Sequence, residues 1–89
     1  MTIYEFAKII RADIEIRKPF DKNVFYASFK NAEIIKNGYI SDPFGSGEGK
    51  TPEIAINNYS KKISKKTLVF DFHSAARKSI DVPKLEIRR

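Results

Sequence analysis

The chain has 89 residues, 42% of them apolar and 31% charged, with a net charge of +6, no cysteine and one histidine. That length suits a single domain, residues 1–89, with most faces in water, so a binding site is expected on a surface or groove. The missing cysteines exclude disulfides and thiolate metal sites, one histidine is too few for an ordinary zinc site, and no apolar run nears the ~20 residues of a membrane span.

Thr2 followed by Glu5 has capping-box spacing, and Ile3, Phe6, Ala7 and Ile10 recur at helical intervals, so a short N-terminal helix is expected. From Ala12 the period drops to two: Ala12, Ile14 and Ile16 alternate with Asp13, Glu15 and Arg17, the pattern of a half-buried strand that Pro19 ends. After the Asp21-Lys22-Asn23 turn a second strand is expected from about Val24 to Lys30, with Phe25, Ala27 and Phe29 on one face. Asn37-Gly38 suits a type I′ turn, which needs positive φ at both positions, and would join Glu33–Lys36 to Tyr39–Ser41 in a hairpin. Pro43 to Lys50 contains three glycines and reads as a loop.

Thr51-Pro52-Glu53 places an N-cap, a helix-compatible proline and a first-turn acid in order, predicting the main helix, Thr51–Ser64, with Ala55, Ile56, Tyr59 and Ile63 turned to the core. Thr67–Phe72 is apolar on both faces, as a central strand would be. Ser79–Leu85 alternates weakly and carries Pro83, which confines it to an edge, and Glu86–Arg89 is expected to fray. Together these predict an α+β fold: a short N-terminal helix and a mostly antiparallel twisted sheet of about four to five strands, packed by one main helix over residues 51–64.

The charge is unevenly placed. Residues 1–49 carry seven basic and seven acidic side chains, whereas residues 50–66 carry five and one, and 73–89 carry five and two. Such asymmetry can draw polyanions, and Lys50, Lys61, Lys62, Lys65, Lys66, Arg77 and Lys78 are the residues that would hold them. Tyr26 and Tyr39 are expected to face outward, able to stack on bases or to anchor a protein partner.

No catalytic constellation is found. Gly49-Lys50-Thr51 before a helix has the look of a phosphate-binding loop, but the glycine required five positions earlier is Phe44 and the preceding segment reads as a hairpin strand. His73 and Ser74 are adjacent on an extended segment and so point to opposite faces, without a strand-to-helix elbow. Asp71, Asp81 and Glu86 read as ion-pair partners for Arg77, Lys78 or Lys84. The chain is therefore expected to be no enzyme and to need no cofactor or metal. The N-terminus also lacks the pattern of a signal peptide, which leaves the cytoplasm as the expected location.

The order helix, three strands, helix is similar to a double-stranded-RNA-binding domain, although the lysines here close the second helix where that family's open it. The run Gly47-Glu48-Gly49-Lys50-Thr51-Pro52-Glu53, with Ala55-Ile56, Tyr59, Lys62-Ile63-Ser64, Leu68-Val69-Phe70, Arg77, Ile80, Val82-Pro83 and Leu85, resembles small uncharacterised proteins of phages and prophages of Gram-positive bacteria. Lys65 stands where a glycine is common in that group, and the strand–turn–Thr-Pro-Glu–helix–strand portion is also similar to HicB-like antitoxin folds. The resemblance implies a context: a phage-encoded, non-catalytic module in the host cytoplasm that engages a host protein or nucleoprotein complex, including a defence complex of the CRISPR type. The alternative partner is RNA or DNA, held by the basic C-terminal surface.

Overall fold

The computed structural model describes residues 1–36, 39–40, 45–72 and 74–87. At the N-terminus the capping box is closed: the Glu5 amide donates to the Thr2 hydroxyl at 3.3 Å and the Thr2 amide to the Glu5 carboxylate at 2.9 Å, which starts α1 (Ile3–Ile10). These bonds hold the Glu5 carboxyl below its ordinary pKa. Arg11, with φ 56°, ends the helix in the left-handed region, and β1 (Ile14–Arg17) follows.

The centre of the fold is a long bent ribbon. Its outgoing arm is β2 (Phe25–Phe29) and β3 (Ala32–Lys36); its returning arm is β4 (Tyr39–Ile40) and β5 (Gly47–Gly49). Ile35 faces Ile40 near the tip, and Ala27 faces Gly47 near the base. Between β2 and β3 the outgoing arm shifts its side-chain phase by one residue, as at a bulge. Its place is Lys30-Asn31, where Asn31 has φ 60°. Before it the odd residues Phe25, Ala27 and Phe29 face the core, and after it the even residues Ala32 and Ile34 do. Two successive residues there serve different neighbours: the Lys30 amide donates to the Asp13 carbonyl at 3.0 Å, and the Asn31 carbonyl accepts the Asp71 amide at 3.0 Å.

The bulge divides the strands into two antiparallel sheets where the pattern predicts one. Among the described residues one sheet has the order β1-β2-β5 and the other β4-β3-β6-β7, with β6 spanning Thr67–Phe70 and β7 spanning Lys78–Asp81. As expected, Thr67–Phe70 is interior and β7 is an edge; Leu68 and Val69 are buried on opposite faces. The expected strand stops at Phe70, because Asp71 turns the chain with φ 52°. The expected Asn37-Gly38 turn lies outside the described residues; the flanking Lys36 and Tyr39 are paired.

The helix α2 (Pro52–Ile63) has the expected cap, with the Ile54 amide donating to the Thr51 hydroxyl at 3.1 Å, and the expected stripe of Ala55, Ile56, Tyr59 and Ile63 is buried. What lies beneath it corrects the reading of residues 43–50 as a loop: Gly47–Gly49 is a strand directly under the helix. A Cβ on Gly47 would come within 2.2 Å of the Ala55 carbonyl oxygen and the Tyr59 amide, and one on Gly49 within 2.6 Å of the Ala55 amide. These glycines let helix and strand backbones touch.

One core joins both sheets and both helices around Phe29, whose ring meets Phe6 of α1, Tyr59 of α2 and Phe70 of β6 at centroid separations of 6.2, 5.8 and 6.1 Å. The C-terminal segment closes this core with buried Val82 and Leu85. Glu86 is correspondingly held, its amide donating to the Met1 carbonyl at 2.8 Å, which corrects the expectation that fraying begins there.

Tyr59 is fully buried, and desolvation pushes its phenol up to about 12; the Phe29 backbone opposes this slightly, but among the described residues no group meets hydrogen-bonding geometry with the hydroxyl. An unfolded tyrosine ionises near 10, so this contribution to stability should be fully present below about pH 10 and lost as pH rises through 12, an effect of about 2–3 kcal/mol. Tyr59→Phe should remove that alkaline loss while changing stability at pH 7 by less than about 1 kcal/mol, as denaturant titrations at both pH values will show. In the same assay Gly47→Ala should lose about 2–4 kcal/mol, since the added methyl meets backbone that cannot yield. Unchanged stability would place α2 elsewhere.

Candidate functional site

The alternation that turns Phe25, Ala27 and Phe29 toward the core turns Tyr26 and Ser28 to the opposite face of the ribbon. Register places Arg17 and Glu48 on either side of Tyr26, and Glu15 beside Ser28. Beyond the bulge the outer face continues through Glu33, opposite Val69. At the bend these surfaces enclose an open groove of about 1400 Å³, which also takes in Pro19, Lys30, Asp71 and Phe72.

The groove is chemically mixed. Glu15, Glu33, Glu48 and Asp71 line it with negative charge, Arg17 and Lys30 with positive. Arg17 is fixed in place, its guanidinium 3.4 Å from the Glu15 carboxylate and donating to the Ser28 hydroxyl at 3.5 Å. The Glu33 Oε2 atom is buried without a hydrogen-bond partner among the described residues. Tyr26 and Phe72 supply aromatic surface, and the Arg77 guanidinium lies 4.3 Å from the Phe72 ring centre. Among the described residues no three carboxylate or imidazole groups gather to hold a metal ion. What the surface offers is donors, acceptors and aromatic faces for a polar organic or peptide ligand.

Of the residues singled out by sequence, Tyr26 lines the groove and Arg77 reaches its rim through Phe72. The others are dispersed. Tyr39 is 78% exposed near the hairpin tip, on the other sheet from Tyr26. Lys50 is exposed before α2, and the helical rise puts it roughly 16 Å from Lys61. Lys65 and Lys66 occupy the turn after α2, where Lys65 has φ 61°, the left-handed region that suits glycine. Lys78 faces Phe70 at the far end of the β6–β7 pair, roughly 13 Å along the strands from Lys66.

Lys62 has a structural task. Its half-buried ammonium donates to the Ser46 carbonyl at 3.0 Å, while Asn58 one turn earlier donates to the Glu48 carbonyl at 2.6 Å, so two side chains of α2 clamp the returning arm. The glycine segment that has the look of a phosphate loop is this clamped strand.

The acids expected to pair with Arg77, Lys78 or Lys84 have other places: Asp81 accepts the Thr67 hydroxyl at 2.8 Å, Glu86 lies 3.7 Å from the N-terminal ammonium and Asp71 lines the groove, and among the described residues none forms the expected ion pair. His73 lies outside the described residues. Sequence reasoning placed Glu15 and Arg17 on the polar side of a strand but did not single them out, nor Ser28, Glu33 or Glu48. Their common signal is polar alternation, and only the pairing register brings them together.

Removing the Lys62 bond should therefore act on stability: Lys62→Ala is expected to cost about 1–2 kcal/mol, whereas Lys61→Ala, on the exposed side of the same turn, should stay within about 0.5 kcal/mol of the parent. Paired urea denaturation curves will distinguish the two. No known protein family, curated protein or solved structure matches this chain.

Proposed function

We propose that the chain is a non-catalytic binding module that engages a partner protein through the groove on the outer face of the bent ribbon. The observation carrying this reading is the company of Tyr26: an aromatic ring among fixed polar groups, in a groove large enough for a peptide segment. The resemblance in sequence to small phage and prophage proteins, and of one portion to HicB-like antitoxin folds, adds the context of a host protein or nucleoprotein complex in the host cytoplasm, a defence complex among them.

The dispersal of the lysines supports a protein partner over a nucleic acid. Lys61, Lys65 and Lys66 are exposed near one end of α2, but Lys62 is engaged, and Asp81 stands between Lys66 and Lys78 along the strand pair. A surface that tracks a phosphate backbone needs cations repeated along its path.

The test is capture of partners from host lysate, with and without nuclease, by the parent chain, Tyr26→Ala and Lys61→Glu/Lys65→Glu, alongside direct titration of labelled RNA and DNA oligomers. Capture that survives nuclease, is lost in Tyr26→Ala and persists in the charge-reversed variant is expected. Direct binding of the oligomers that weakens with salt at a log–log slope of about −0.7 to −0.9 per phosphate contact, and is abolished by the charge reversal, would transfer the function to nucleic acid.

A further inference from the structure

β1 is an edge strand, and its free side can be read from the register. The Asp13 carbonyl accepts from Lys30, so Asp13, Glu15 and Arg17 turn their backbone groups toward β2, while Ile14 and Ile16 turn theirs away from the sheet. Among the described residues no strand pairs with that side. The Ile16 side chain is 37% exposed, and Phe20, just past Lys18-Pro19, is fully exposed. Pro19 lacks an amide and limits the edge to a short run.

We propose that this edge pairs with the same edge of a second copy of the chain, forming a two-fold symmetric dimer in which the sheet continues from one copy into the other. The charges choose the register. Antiparallel pairings that join Ile14 or Ile16 of one β1 to Ile14 or Ile16 of another are three. Ile14 opposite Ile14 places Asp13 against Glu15 of the second copy, and Ile14 opposite Ile16 places Glu15 against Glu15. Ile16 opposite Ile16 places Glu15 against Arg17 of the second copy, twice by symmetry.

Only the third register pairs opposite charges. It also sets Glu15 and Arg17 in non-hydrogen-bonded positions, where facing side chains come closest, and it buries Ile16 against its counterpart on the core side. Continued past the strand, it brings Phe20 level with Ala12 of the second copy. Open edges invite such pairing unless sequence opposes it, and in this register the sequence supports it. The inference stands apart from the groove reading, although the groove faces, which contain Glu15 and Arg17, would then lie on the same side of the joined sheet.

Sedimentation equilibrium over a concentration series tests it, with Arg17→Glu and Glu15→Arg studied separately and mixed. The parent chain should show a reversible monomer–dimer equilibrium. Each single reversal should weaken it at least about tenfold, since two like-charge contacts replace two attractive ones. The equimolar mixture should associate as a heterodimer, because both cross-strand pairs are then of opposite charge. This trans rescue cannot arise from damage to the fold, and thermal melts of each variant provide a check.

Hydrogen exchange gives a second reading: Ile14 and Ile16 amides should gain protection as concentration rises, while Glu15 and Arg17 amides are protected throughout. A chain that stays monomeric to about 1 mM overturns the proposal. So does a dimer indifferent to both reversals, or single variants whose mixture fails to associate.

Discussion

The one-residue phase shift at Lys30-Asn31 decides more of this structure than any other feature. Ahead of it odd positions of the outgoing arm are buried, and after it even positions are, so the bulge keeps Phe29 and Ile34 in one core although an odd number of steps separates them. The same shift lets β1 pair with β2 and β6 with β3 as separate sheets. The groove takes its lining from both sides of the shift, Tyr26 and Ser28 before it and Glu33 after it. Tyr26 and Glu33, an odd number of residues apart, share the outer face for the same reason.

A second constraint holds the bend against the helix. β5 can lie under α2 only because Gly47 and Gly49 lack a Cβ, and that contact brings Tyr59 to the edge of the Phe29 ring. Asn58 and Lys62 then bind carbonyls of the returning arm on either side of Gly47. Backbone contact, an aromatic edge and two polar clamps act along one helix face, so the returning arm is set by α2 as much as by pairing with β2. The burial of an unpartnered Tyr59 hydroxyl belongs to this tight seat: the ring is needed for packing, and its oxygen goes with it.

Charge is arranged differently from what its total suggests. The excess of basic residues lies in the C-terminal half, yet among the charged residues of the groove acids outnumber bases four to two, and three of those acids come from the balanced first half. A net charge of +6 therefore describes long-range attraction, while local recognition at the groove would favour donors on the ligand. Arg17 belongs to both surfaces discussed above, as a groove residue held by Ser28 and as one member of the charge pattern along the β1 edge.

Several elements were legible from sequence because their causes are local. The capping box at Thr2, the Thr-Pro-Glu start and buried stripe of α2, the interior position of Thr67–Phe70 and the α+β class all follow from spacing, propensity and periodicity within a few residues. The division into two sheets was not legible, because a bulge is visible only when two strands are counted against each other. Nor was β5, since glycines that read as a loop become a strand only when a helix presses on them. The groove depends on the same nonlocal register: Glu15, Arg17, Tyr26, Ser28 and Glu48 each look like ordinary polar positions, and pairing across three strands makes them neighbours. The lysines show the converse, being conspicuous in sequence and separated in space, because a helix rise, an interior strand and one half-buried hydrogen bond intervene. Sequence by itself determined which segments could be helix or strand and which faces had to be buried; tertiary structure decided which strands meet, through long-range contacts whose partners no local pattern specifies.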